Sequence, residues 1–95
     1  MESTKRAGER CYAASVAYLE RVGFIPLEEL VRGESLLMLD GDERVLVLVH
    51  ESDAPMPRSP ILHLGRVDVI TMNVIGEDRA LLRHHRGCDS ETPDL

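Results

Sequence analysis

Apolar residues recur at spacings of three and four from Ala7 through Cys11, Ala14 and Tyr18 to Val22, the period of a helix laid on an apolar surface. Thr4 is placed to cap its start, and Gly23 follows as the residue that ends it. Ala13, Ala14 and Ala17 predict a slim face able to sit close to a sheet. Beyond Gly23 the period changes. Phe24 to Leu27 begins an extended segment that Pro26 restricts to a sheet edge or a strand start, although Leu27 to Val31 also suits a helical turn. Ser35 to Leu39 and Val45 to Val49 are apolar runs separated by Asp40-Gly41-Asp42, a hairpin whose second strand reads as buried on both faces. Pro55, Pro57 and Pro60 forbid a helix in the next stretch, leaving a loop. Val67 to Val74 is rich in β-branched residues and predicts a strand. Arg79 to Arg86 fits either a helix, through Ala80-Leu81-Leu82, or an edge strand, through alternating Ala80, Leu82 and His84. The economical arrangement is one helix on a mixed sheet of four or five strands, an α/β (α+β) architecture.

Composition narrows this picture. The 95 residues are 43% hydrophobic but only 3% aromatic, so the core must be aliphatic. No apolar run approaches the roughly 20 residues of a membrane span, and no apolar stretch follows the first residues, so a cytoplasmic chain is expected. Eleven basic against seventeen acidic residues give a net charge of −6, which weighs against phosphate neutralisation as the main activity. The locally basic stretch Arg79, Arg83, His84, His85 and Arg86 supplies the candidate nucleic-acid contacts Arg79, Arg83, His84 and Arg86, against the plainer reading of a solvated face. Cys11 and Cys88 show no C-x-x-C spacing, and the four histidines no H-x-x-x-H spacing, so no metal site is expected and both thiols should be reduced. Residues 1–88 read as one domain and 89–95 as a disordered acidic tail.

Several blocks carry a family resemblance. Gly8-Glu9 opens the helix and Tyr18-Leu19-Glu20-Arg21-Val22-Gly23-Phe24 closes it. Gly33-Glu34-Ser35-Leu36-Leu37-Met38 and Val45-Leu46-Val47-Leu48-Val49-His50 follow, then Gly65-Arg66-Val67-Asp68-Val69-Ile70, then Leu82-Arg83-His84-His85-Arg86-Gly87-Cys88. In order and spacing they resemble the bacterial YraN family of small endonuclease-like proteins, over about residues 8 to 50 and 64 to 88. The resemblance implies a restriction-endonuclease-like core related to Holliday-junction resolvases, with the family's two central helices replaced by a proline-rich loop. Nuclease chemistry on that core takes carboxylates on neighbouring strands around a Mg²⁺ ion, with a lysine beside the attacking water.

The departures from the family are chemical. The resemblance maps the site onto Glu9, Glu34, Leu36, Leu48 and His50, so two acid positions hold leucine and the lysine position holds histidine. Such a site is expected to be degenerate and to bind no cofactor, leaving an interaction or nucleic-acid-associated module; Mg²⁺ enters only if Glu34 works with relocated acids such as Asp40, Asp42, Glu43 or Glu51. Set against these readings, Glu9 pairs with Lys5 or Arg6 on its helix, His50 is an ordinary imidazole at a strand end, and Asp68 meets solvent or a cation such as Arg66. A parallel crossover takes a dozen or more residues, which Glu51 to Leu62 spans only if extended. Without the helices, one sheet face carrying Leu46, Leu48 and Val69 is expected to be bare, and a homodimer is expected to cover it. A small α/β module that binds a protein through its hairpin, unrelated to the nucleases, is the remaining alternative.

Overall fold

The computed structural model describes residues 2–59, 65–76 and 79–87, with side chains from residue 11 onward. One helix, α1 (Glu2–Arg21), precedes β1 (Phe24–Val31), β2 (Ser35–Asp40), β3 (Glu43–Glu51), β4 (Arg66–Val74) and β5 (Ala80–His85). The strands form one sheet in chain order β1-β2-β3-β4-β5, antiparallel except where β3 and β4 run parallel. A helix on a five-stranded mixed sheet is therefore the architecture. The ambiguous stretch after residue 79 is an edge strand, since Ile70 pairs with His84 and Met72 with Leu82.

Local chemistry accounts for the elements. Asp40 pairs with Glu43 across the two-residue turn Gly41-Asp42, and Gly41 takes φ 67, the left-handed conformation a tight hairpin requires at its first central residue. Val45 to Val49 are all buried because β3 lies in the middle of the sheet with side chains packed on both faces. Proline at position 26 is tolerated because β1 is an edge. Two register shifts, between Pro26 and Glu28 and between Glu29 and Val31, kink β1, and Leu30 packs against the cluster on the sheet face away from the helix.

The helix meets the sheet along a different line from the alanine-rich one. Cys11, Ser15 and Leu19 are buried, at spacings of four, with Tyr12, Val16 and Tyr18 beside them, whereas Ala13, Ala14 and Ala17 face outward and Val22 is exposed. Alanine favours helix anywhere on its surface, so an alanine stripe marks propensity and not a buried face. The branched and longer side chains bury more apolar area and set the rotation. The hydroxyl of Ser15 is satisfied by donating to the Cys11 carbonyl at 2.8 Å.

Two aliphatic clusters sandwich the sheet. On the helix side lie Phe24, Leu36, Met38, Val45, Val47, Val49, Ile70 and Met72, and on the far side Leu46, Leu48, Val67 and Val69 with Leu30 and Leu37 against them. The far face was expected to be bare, yet Leu46 is 0%, Leu48 1% and Val69 5% exposed within the single chain. The acidic tail lies outside the described residues. No helix among the described residues is long and apolar enough to cross a membrane.

Candidate functional site

Polar groups gather at each end of the parallel β3–β4 pair. Where the two strands begin, Val45 pairs with Arg66 and Val47 with Asp68, which turns Arg66 and Asp68 toward the helix. Ile70 pairs with His84, so β5 delivers an imidazole to the same face, and α1 supplies Tyr18 from above. These residues form one connected network. Arg66 donates to Asp68 through Nε to Oδ1 at 2.8 Å and Nη2 to Oδ2 at 2.9 Å, a bidentate fork. Its Nη1 reaches Asp40 at 2.8 Å and Glu43 at 3.3 Å across the β2–β3 turn. The Gly87 N–H donates to Asp68 Oδ1 at 2.9 Å.

Asp68 is fully buried, and as a carboxylate it only accepts. His84 Nε2, 2.7 Å from Asp68 Oδ2, therefore carries the proton, and its Nδ1 accepts from the Tyr18 hydroxyl at 2.9 Å when the ring is neutral. Burial pushes the Asp68 carboxyl upward, but the Arg66 fork, the Gly87 N–H and His84 outweigh it and hold the group below the usual carboxylate range. Asp68 in turn raises Arg66 further above its already basic value, against the effect of burial. Phe24 closes the cluster: its ring lies edge-on to His84, with the guanidinium carbons of Arg66 and Arg86 at 5.6 and 5.9 Å from its centroid. Of the two fates considered for Asp68, pairing with Arg66 is the one adopted.

His84, a candidate phosphate contact, is thus turned into the fold. Its side chain is 5% exposed and both ring nitrogens are engaged. Alternation along β5 explains this: Arg83 pairs with Thr71 and points to the far face, whereas His84 turns inward. Arg79, Arg83 and Arg86 are exposed but are divided between faces, Arg83 on the far side and Arg86 over the Phe24 ring beside His84, so they form no single basic patch.

At the other end of the strands lies an open hollow of about 300 Å³, lined by Cys11, Gly33, Glu34, Val49, His50, Glu51 and residues 54–57. Two positions singled out by the family resemblance, Glu34 and His50, both line it. The backbone carbonyl of Glu34 accepts from Val49 N–H at 2.8 Å, extending the β2–β3 ladder and placing Glu34 beside the end of β3. His50 Nδ1 lies 3.2 Å from the Ala54 carbonyl, an acceptor, so Nδ1 carries the proton and Nε2 accepts from the Thr71 hydroxyl at 3.1 Å. The imidazole is committed to tying the loop down and has no lone pair left for a metal or a reacting water. Cys11 adds a buried thiol to the hollow. The side chain of Glu9 and the whole of Cys88 lie outside the described residues.

The two leucine positions do not join Glu34. Leu36 pairs with Val47 and packs in the helix-side cluster, whereas Leu48 pairs with Ser35 and packs in the far-side cluster. They are on opposite faces of the sheet, so acids at both positions would not clasp one ion. Among the described residues, no three His, Cys, Asp or Glu side chains converge as a metal would require.

Sequence reasoning singled out Asp68 with Arg66 but not the role of Tyr18 and His84. Tyr18 and His84 are 66 residues apart, and only the polar Asp68 inside an apolar strand signalled that a buried cluster was present. Comparison of the chain with protein-family models, with curated proteins and with solved structures finds no match.

Proposed function

We propose that this chain is a non-catalytic, endonuclease-like module that acts by binding and not by cleaving. The observation that carries the reading is the placement of Leu36 and Leu48, the acid positions implied by the resemblance, each built into a separate hydrophobic cluster on opposite faces. The element order supports the resemblance itself: helix, three antiparallel strands, then a parallel strand reached through a proline-rich segment. A divalent Mg²⁺ ion takes an octahedron of oxygens with one or two carboxylates, and the hollow presents Glu34 and Glu51 beside an imidazole whose nitrogens are occupied. The residues present do not fit that ion. The direct test is incubation of the full chain with linear, supercoiled and branched DNA in Mg²⁺ or Mn²⁺, with no metal-dependent cleavage expected; cleavage abolished by Glu34→Ala overturns the reading.

The competing reading, a metal-dependent nuclease with relocated carboxylates, is favoured by one observation: Glu34 and Glu51 do share the hollow. It predicts that same Glu34-dependent cleavage.

A further inference from the structure

We infer that β5 is a docking edge for an extended, acidic segment of a partner protein, read through main-chain pairing. This deepens the reading of the chain as a binding module and rests on it. Among the described residues the two edges of the sheet are guarded differently. β1 carries Pro26 and two register shifts, devices that disrupt continuous pairing along an edge. β5 has neither: its six residues pair with β4 in unbroken register from Val74–Ala80 to Val69–His85. In an antiparallel pair every second residue of the outer strand turns its N–H and C=O away from the neighbour. β5 therefore presents a straight row of such groups along its outer side.

The strand is also held ready. His84 hydrogen bonds to Asp68 and Tyr18, Leu82 packs against the helix-side cluster, and the Gly87 N–H is fixed on Asp68 just beyond the strand. The buried network thus anchors an edge that would otherwise fray, and a preformed edge lowers the ordering cost of docking. The charge on it selects the partner. Arg79, Arg83 and Arg86 flank the edge of a chain whose net charge is −6. A second β5 brought alongside would set cation against cation, which is destabilising across strands. An acidic strand meets no such penalty. On the far face Leu81 is 55% exposed and is followed two residues on by Arg83, so the fitting segment carries an apolar residue and then an acid at alternate positions. A nucleic acid is the weaker fit, because the arginines are divided between faces and the edge offers main-chain groups instead of a continuous basic track.

The test is amide hydrogen exchange on the full chain with a short Val-Thr-Glu-Thr repeat (the Val-Glu peptide), which sets Val and Glu two residues apart on one strand face, a matched Val-Thr-Lys-Thr repeat (the Val-Lys peptide) and oligothymidylate as probes. The inference predicts protection of alternate β5 amides by the Val-Glu peptide alone, and binding weakened about tenfold in Arg83→Glu, which then prefers the Val-Lys peptide. Equal binding of both peptides, protection elsewhere, protection of β5 by oligothymidylate, or concentration-dependent protection without any peptide each overturns it. Metal-dependent DNA cleavage by the same preparation sinks the non-catalytic reading, whereas peptide failure without cleavage sinks the docking edge alone.

Discussion

Replacing Asp68 by Asn is the sharpest probe of the network beneath β5. The side chain is fully buried and accepts four hydrogen bonds, two from Arg66 and one each from His84 and Gly87. An amide is isosteric but offers one acceptor oxygen. With that oxygen at the Oδ1 position, Arg66 Nε and Gly87 N–H keep their partner. The new NH₂ then faces Arg66 Nη2, and His84 must change tautomer to accept from it. One arm of the fork is lost and Arg66 loses its buried counter-charge, although Asp40 and Glu43 remain on Nη1. Breaking a buried pair by removing one partner costs about 3–5 kcal/mol, and the surviving partners of Arg66 put the expected loss near the lower end, about 3 kcal/mol. For a domain of this size that lowers Tm by roughly 12–24 °C, readable by calorimetry or circular dichroism.

The sign of the pH dependence follows from the same carboxyl. Its folded pKa lies below the unfolded value, so on acidification the unfolded chain takes up the proton first. The stabilisation is complete above the ordinary carboxylate range, about pH 4, and disappears as pH falls through the depressed folded value. The gap between Asp68→Asn and the parent chain should therefore narrow on acidification below about pH 4. A loss under about 1 kcal/mol at neutral pH, or a gap that widens in acid, refutes the account of the network.

Other expectations follow from individual residues. The Tyr12 phenol is pushed up to about 12 by burial and by Glu29, so a spectrophotometric titration in a Tyr18→Phe background should show late ionisation that Glu29→Gln brings earlier. Ser35 is fully buried and its hydroxyl has no hydrogen-bond partner among the described residues, so Ser35→Ala should leave stability unchanged or raise it by about 1 kcal/mol in urea denaturation. Leu36→Asp and Leu48→Glu should each destabilise by several kcal/mol, about 3 or more, by burying an unpaired charge. Combined, they should create no Mn²⁺ site, because they open on opposite faces; tight Mn²⁺ uptake by the double variant contradicts the observed register.

What could be read in advance was whatever depends on short-range pattern. The Gly23 stop, the Asp40-Gly41-Asp42 turn and the β-branched run ending at Val74 each carry a local conformational preference that the fold does not overrule. The exposed alanine stripe misled because alanine is neutral about burial, so Cys11, Ser15 and Leu19 decided the rotation of α1 instead. The stretch after residue 79 stayed open between helix and strand because its local preferences are balanced. Pairing with β4 and the inward pull of Asp68 on His84 resolve it. Treating Leu36 and Leu48 as neighbours around one ion failed for a related reason. Strand alternation is visible along a chain, but cross-strand register, here Leu36 with Val47 and Leu48 with Ser35, is set by the hairpin turn and its pairing.

The central claim, that the residues around Glu34 cannot enclose a divalent ion, is tested most directly by calorimetric titration of the full chain with Mn²⁺ at neutral pH. The account predicts no saturable uptake in the micromolar range. Binding of one ion per chain that is lost in Glu34→Ala contradicts it.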